Sequence, residues 1–181
     1  EIYTLSLHDA LPIFGRGFYL RRAEEVAPDL LGKVLCRSLG DGRAIRAAIT
    51  ETEAYCGEGD TAAHARFGRT PRTEVLYLAG GRAYVCRCRM WWLLNVSCGV
   101  EGDPQCVLIR GVEGADGPGR TAELMRVDRS LYGRELVPDS GVWIEDADLR
   151  PRYTARPRVG IGYASDADRG RRLNYRSVSH D

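Results

Sequence analysis

Glu51, Glu53 and Tyr55 stand at alternate positions in the run ITETEAY, and His64 follows nine residues after the tyrosine in CGEGDTAAH. In an extended strand the side-chain period is two, which is expected to put Ile49, Glu51, Glu53 and Tyr55 on one face and Thr50, Thr52 and Ala54 on the other. Two carboxylates side by side repel each other, and partial burial disfavours their charge further. At least one is therefore expected to hold a proton more tightly than an ordinary glutamate, as suits a general base. The bland alternative is ion pairing, in which Glu51 or Glu53 simply meets an arginine such as Arg46 or Arg69.

Local punctuation indicates which elements carry these residues. Ala23, Val26, Leu30 and Leu31 recur at helical spacing within residues 20–32, and Gly32 supplies the stop. KVLCRSL and AIRAAITETEAY flank Gly40-Asp41-Gly42, the chemistry of a tight antiparallel hairpin. Residues 57–73 read as loop and short helix. LYLAGGRAYV, WWLLNVS, QCVLIRGV, GVWIED and RPRVGIGYA read as further strands, and RTAELMRVD as a short helix after Gly117-Pro118-Gly119. The expectation is one α+β domain on a curved antiparallel β-sheet with flanking short helices.

The chain has 181 residues, 44% of them hydrophobic, enough for one domain with its own core. It contains no apolar run of membrane-spanning length and no secretory start, so a cytoplasmic protein is expected. The opening EIYTLSLHDALPIF resembles translated sequencing-adapter DNA. Residues 1–13 are set apart as a non-native leader, and residues 14–181 are taken as the functional domain. Net charge is only +1, yet residues 65–100 carry Arg66, Arg69, Arg72, Arg82, Arg87 and Arg89 against Glu74, a local basic surface suited to an acidic partner. Six cysteines without an export signal are expected to be reduced thiols. No metal or other cofactor is expected: Cys86-x-Cys88 has no histidine at zinc spacing, and His8 and His180 lie at the chain's two ends.

ETEAY, DTAAHARFGRTPR, AYV, LLNV, CVLIRGVE and GPGR, in that order and approximate spacing, resemble the 3-methyladenine (alkyladenine) DNA glycosylase family over roughly Phe18 to Tyr175. The resemblance implies a monofunctional enzyme of base-excision repair. It would act as a monomer on double-stranded DNA, flip an alkylated or deaminated purine out of the duplex and hydrolyse the bond to its sugar. By the same resemblance Glu53 activates the water, and Tyr55 and His64 wall the base pocket. Asn95 crowds the exocyclic amine of a normal guanine, and the backbone amide of Val159 faces the base. Arg110 contacts a backbone phosphate; Arg69 and Arg72, from the chemistry of their Gly/Pro-bearing loop, suit phosphate contacts that position the enzyme without reading sequence. Lys33, the sole lysine, sits at a helix-to-strand junction away from these residues, so water rather than an amine is the expected nucleophile.

One segment departs from the family pattern. Members read approximately AYVYxxYGM before the segment ending in LNV, and the second of the later tyrosines wedges into the duplex. This chain reads AYVCRCRMWWLLNV, one residue shorter, with Cys86 at the pocket tyrosine and Arg89 near the wedge. A pair of compensating frameshifts would produce this, as would a true variant whose wedge is Arg89, Trp91 or Trp92. Two other readings stay open on sequence grounds: a non-catalytic or disabled damage-binding relative, and a small-molecule nucleoside or glycoside hydrolase built on the Glu51/Glu53 pair.

Overall fold

The computed structural model describes residues 11–178; residues 1–10 of the expected leader, with His8, and His180 lie outside that range. Helix α1 (Arg16–Tyr19) and helix α2 (Ala23–Asp29) precede the hairpin of β1 (Val34–Gly40) and β2 (Arg43–Tyr55). Strands β3 (Ala83–Cys88), β4 (Trp91–Cys98), β5 (Gln105–Val112) and β6 (Ala115–Asp116) follow, then α3 (Pro118–Leu124), β7 (Val142–Glu145), β8 (Tyr153–Arg156), α4 (Asp166–Gly170) and β9 (Asn174–Ser177). The nine strands form one antiparallel sheet. Its main order is β3-β4-β5-β2-β1-β7, with β6 on β5, and β9 joining β8 to β2. The fold class is α+β, as expected.

Local chemistry accounts for several elements. Helix α2 starts where the Glu25 carboxylate accepts the Arg22 amide at 3.1 Å, and it turns Ala23, Val26 and Ala27 inward. The β1–β2 turn takes left-handed backbone at three successive residues, Gly40 (φ 79°), Asp41 (φ 53°) and Gly42 (φ 79°).

The sheet is apolar on both faces. Ala83, Val85, Leu94, Val96, Val107 and Ile109 pack with α2 into the larger core. Tyr84, Cys86, Leu93, Cys106 and Leu108 face the other way, with Ala122 of α3 and with Val75 and Leu76. That second face carries the candidate site.

Three sequence expectations are corrected. LYLAGGRAYV is not one strand: Glu74–Tyr77 forms a 3-10 turn, and only Ala83 onward joins the sheet. RPRVGIGYA is a loop, because β8 ends at Arg156 immediately before Pro157, a residue with no N–H to donate to a ladder. Ile49 does not share a face with Glu51. It packs in the larger core with Ile45, Ala47 and Ala54, because β2 is irregular between the two residues. The leader expectation touches described residues only at 11–13, where Pro12 O accepts from Asp146 N at 2.7 Å and Ile13 bridges Glu145.

Candidate active site

Two compensating bulges build the centre of the site. Along β2 and β5 the pairs run Ile49 with Val112, Glu51 with Gly111, then Thr52 with Ile109. Thr50 is therefore the extra residue on β2, and Arg110 the extra residue on β5. The first bulge switches the strand's facing, so Glu51, Glu53 and Tyr55 leave the core side. The second frees Arg110 from the ladder and aims its side chain at them, the usual consequence of a bulge. Arg110 Nε lies 3.3 Å from Glu51 Oε1 and 3.7 Å from Glu53 Oε1.

Glu53 is completely buried. Its Oε1 accepts from Asn174 Nδ2 at 2.8 Å and from the Val159 amide at 2.9 Å, whereas Oε2 accepts from the Tyr55 hydroxyl at 3.0 Å. Tyr55 stays a donor, since burial first and the Glu53 charge second push its hydroxyl well above the ordinary phenol range. Glu51 is shifted downward. Burial raises its carboxyl, but hydrogen bonds from Asn174 and Arg156 and the Arg110 charge outweigh that and hold it below the usual range. Arg156 Nη2 lies 2.9 Å and Arg176 Nη1 3.7 Å from its two oxygens.

In front of Glu53 lies a cavity of about 300 Å³. Tyr55, Arg110 and Val159, each touching or facing the Glu53 carboxylate, form one wall, while His64, Tyr84 and Asn95 close the others. His64 Nε2 meets Arg72 Nη2 at 3.2 Å, and its Nδ1 meets Tyr84 Oη at 2.9 Å. A guanidinium only donates, so Nε2 is the acceptor and Nδ1 carries the proton toward Tyr84. Burial, with Arg72 and Arg66 nearby, lowers the imidazole to about 4 and keeps it neutral at neutral pH. Asn95 is buried; its amide nitrogen donates to Tyr84 O at 3.1 Å and meets Cys86 Sγ at 3.6 Å, and among the described residues its oxygen meets only the Cys106 thiol at 3.9 Å.

The structure thus brings Tyr55, His64, Asn95, Val159, Arg72 and Arg110 to one cavity, with Glu53 directly behind its wall. Arg69 is elsewhere, in a two-pronged pair with Glu74. Arg89 occupies the two-residue β3–β4 turn at φ 54° beside Met90, which is 74% exposed. Trp91 is held on α3, donating to Glu123 at 2.8 Å, and Trp92 packs against the larger core, so neither is free at the tip. Lys33 Nζ pairs with Asp146 at 2.5 Å, outside the cavity.

Sequence reading missed Asn174, which lies 121 residues from Glu53 in a strand no periodicity announced. It also missed the buried pair of Arg158 with Asp60. That pair ties the Val159 loop to the loop before His64 and sets a guanidinium 4.9 Å from the Tyr55 ring centre. DTAAH and RVGIG contain or adjoin both residues, but nothing local pairs them.

Comparison with known proteins decides what this arrangement belongs to. Residues 17–116 match the family model of the methylpurine-DNA glycosylases (MPG). A Psychrobacter cryohalolentis protein named "Putative 3-methyladenine DNA glycosylase" is 42% identical over 172 residues, covering 78% of this chain and 81% of that protein. The DNA-3-methyladenine glycosylase of Homo sapiens is 32% identical over 199 residues, covering 92% of this chain and 66% of that protein. The chain belongs to the methylpurine-DNA glycosylase family. As a member it is a glycosylase enzyme of DNA repair, and the matched segment contains Glu51, Glu53, Tyr55, His64, Asn95 and Arg110. Among the described residues of this methylpurine-DNA glycosylase relative, no helix is long and apolar enough to cross a membrane.

Proposed function

We propose that this glycosylase receives a flipped alkylated or deaminated purine in the cavity beside Glu53, and that Glu53 Oε2 takes a proton from the attacking water. The observation carrying the reading is the unequal occupancy of the carboxylate. Oε1 accepts two hydrogen bonds and faces Arg110, whereas among the described residues Oε2 accepts only from Tyr55. A carboxylate oxygen has two lone pairs, so Oε2 keeps one for a water proton.

The water oxygen bonds to C1′ as the C1′–N bond breaks. The bonding pair leaves with the base, and the water proton goes to Glu53. The sugar becomes oxocarbenium-like on the way, and a buried anion next to it stabilises that charge. Alkylated purines leave readily because a positively charged base departs neutral, and the rings of Tyr55 and His64 favour such electron-poor bases. Asn95 is the candidate that rejects normal guanine. The protein works as a monomer on duplex DNA, with Arg72 and Arg89 contacting phosphates and Arg110 serving the carboxylates as well as the backbone. The sole lysine is held by Asp146, which favours water over an amine nucleophile.

Glu53→Gln keeps the shape and removes the base. It is expected to bind lesion-bearing duplex within about threefold of the parent and to lose roughly 100-fold or more in single-turnover excision. If Glu51→Gln were the inactive variant and Glu53→Gln stayed active, the reading would fall. Cleavage of the free modified nucleoside at a rate matching the duplex would equally replace it with a small-molecule hydrolase.

A further inference from the structure

We infer that Asn174, fixed by Arg156, is a positioning residue that holds Glu53 as an anion with Oε2 aimed for proton abstraction; this rests on the reading of Glu53 as the base. Asn174 is fully buried on β9, directly opposite Glu53 in the ladder, so both side chains leave the same face. Its Nδ2 lies 2.8 Å from Glu51 Oε1 and 2.8 Å from Glu53 Oε1. Its Oδ1 lies 2.8 Å from Arg156 Nε, on the neighbouring strand β8.

These contacts leave no choice of amide orientation. Arg156 can only donate, so the atom facing it is the oxygen, and both Nδ2 hydrogens must point at carboxylates. Each of these hydrogen bonds is stronger to an ionised carboxylate than to a neutral carboxyl, so the shared donor offsets part of the like-charge repulsion between the two acids. Turning the amide over would set its oxygen against two carboxylates and its NH2 against a guanidinium. Arg156 blocks that flip and adds a second contact of its own, Nη2 to Glu51 Oε1 at 2.9 Å.

Every strand around Glu53 contributes to the same balance. Glu51 and Tyr55 lie on its own strand, Arg110 comes from β5, Arg176 from β9 and Arg156 from β8. The buried Arg158–Asp60 pair stands behind Tyr55. Arg110 Nε also faces both carboxylates, but it carries a charge; among the described residues Asn174 is the uncharged group that touches both with one atom. It therefore ties the two acids together without competing with the cation growing on the sugar.

The test is the pH dependence of single-turnover excision on one lesion-bearing duplex, measured on the full chain for the parent, Asn174→Asp, Asn174→Ala, Arg156→Leu and Glu53→Gln. Asn174→Asp replaces the shared donor by a third acid. Its acid limb is expected to move to higher pH by about one unit or more, with excision at pH 7 down roughly tenfold and recovering as pH rises. Asn174→Ala, the choice if three acids prevent folding, is expected to shift the limb in the same direction, and Arg156→Leu to shift it less. Duplex affinity should stay within about threefold, which separates positioning from a merely structural loss. Superimposable profiles for the parent and a folded Asn174 variant would overturn the inference while leaving an inactive Glu53→Gln intact. An active Glu53→Gln would instead remove the reading beneath it.

Discussion

His64 shows how a single side chain is set by its partners. Alone, an imidazole changes charge near neutral pH. Here a guanidinium occupies Nε2 and a phenol Nδ1, and burial with two nearby arginines lowers the ring to about 4. A neutral ring can face an alkylated, cationic purine without repelling it. The sign of the stability effect follows. The unfolded histidine takes up its proton near pH 6.5 and the folded one only near 4, so the contribution is whole above about 6.5 and is lost as pH falls through that window. The loss is at most about 3 kcal/mol. His64→Gln offers an amide to both partners without titrating. Between pH 7 and pH 4 the parent's melting temperature is expected to fall further than the variant's, and a difference that stays constant with pH would contradict this assignment.

At the level of elements, the paired bulges of β2 and β5 matter more than any one residue, since they take Glu51 out of the core's register and turn Arg110 toward it. Gly111 sits between them. A Cβ there would meet Thr50 Oγ1 at 2.9 Å and Glu51 Cβ at 3.2 Å, so the close approach of the two strands depends on a residue without a side chain. Gly111→Ala must push the strands apart where both carboxylates are aimed. A stability loss of about 1–3 kcal/mol in urea unfolding is expected. Excision should fall by about tenfold or more, because a displaced Glu53 loses its alignment with the sugar. Normal excision by a destabilised variant would show that the bulges serve folding alone.

Across the whole molecule many arginines are paired with a carboxylate, and among those that are not, three cluster at the cavity and its neighbouring turn. Arg46, Arg69, Arg82 and Arg158 are neutralised by Glu145, Glu74, Glu135 and Asp60. Arg72 and Arg87, which line the cavity, and Arg89 at the β3–β4 turn have no carboxylate partner among the described residues. With a net charge of only +1, such a patch makes binding to a polyanion local rather than diffuse. Arg87→Ala and Arg89→Ala are each expected to weaken duplex binding and to lower the slope of log affinity against log salt by about one. Arg43→Ala, at the β1–β2 turn and already paired with Asp41, should leave that slope unchanged. Salt titrations that fail to separate the two positions would move the DNA path away from the β3–β4 turn.

The sequence by itself determined what local rules control. Gly40-Asp41-Gly42 specified the hairpin because only small or short polar residues accept its left-handed backbone, and the 3.6-residue spacing of Ala23, Val26 and Leu30 specified the buried face of α2. Alternation put Glu51, Glu53 and Tyr55 together, and the family motifs named the chemistry. The tertiary structure decided the rest. Period two carried Ile49 to the wrong face, since a bulge is an agreement between two strands and leaves no mark on either alone. Arg69 went to Glu74 and Arg72 to His64, although both lie in one short loop and look alike as sequence. Repulsion predicted at least one raised carboxyl in the Glu51/Glu53 pair; Glu51 is lowered, because Arg110, Arg156 and Asn174 arrive from strands 59 to 123 residues away. The charge state of a buried acid is set by the donors that folding gathers around it, and those contacts have no local signature in the chain.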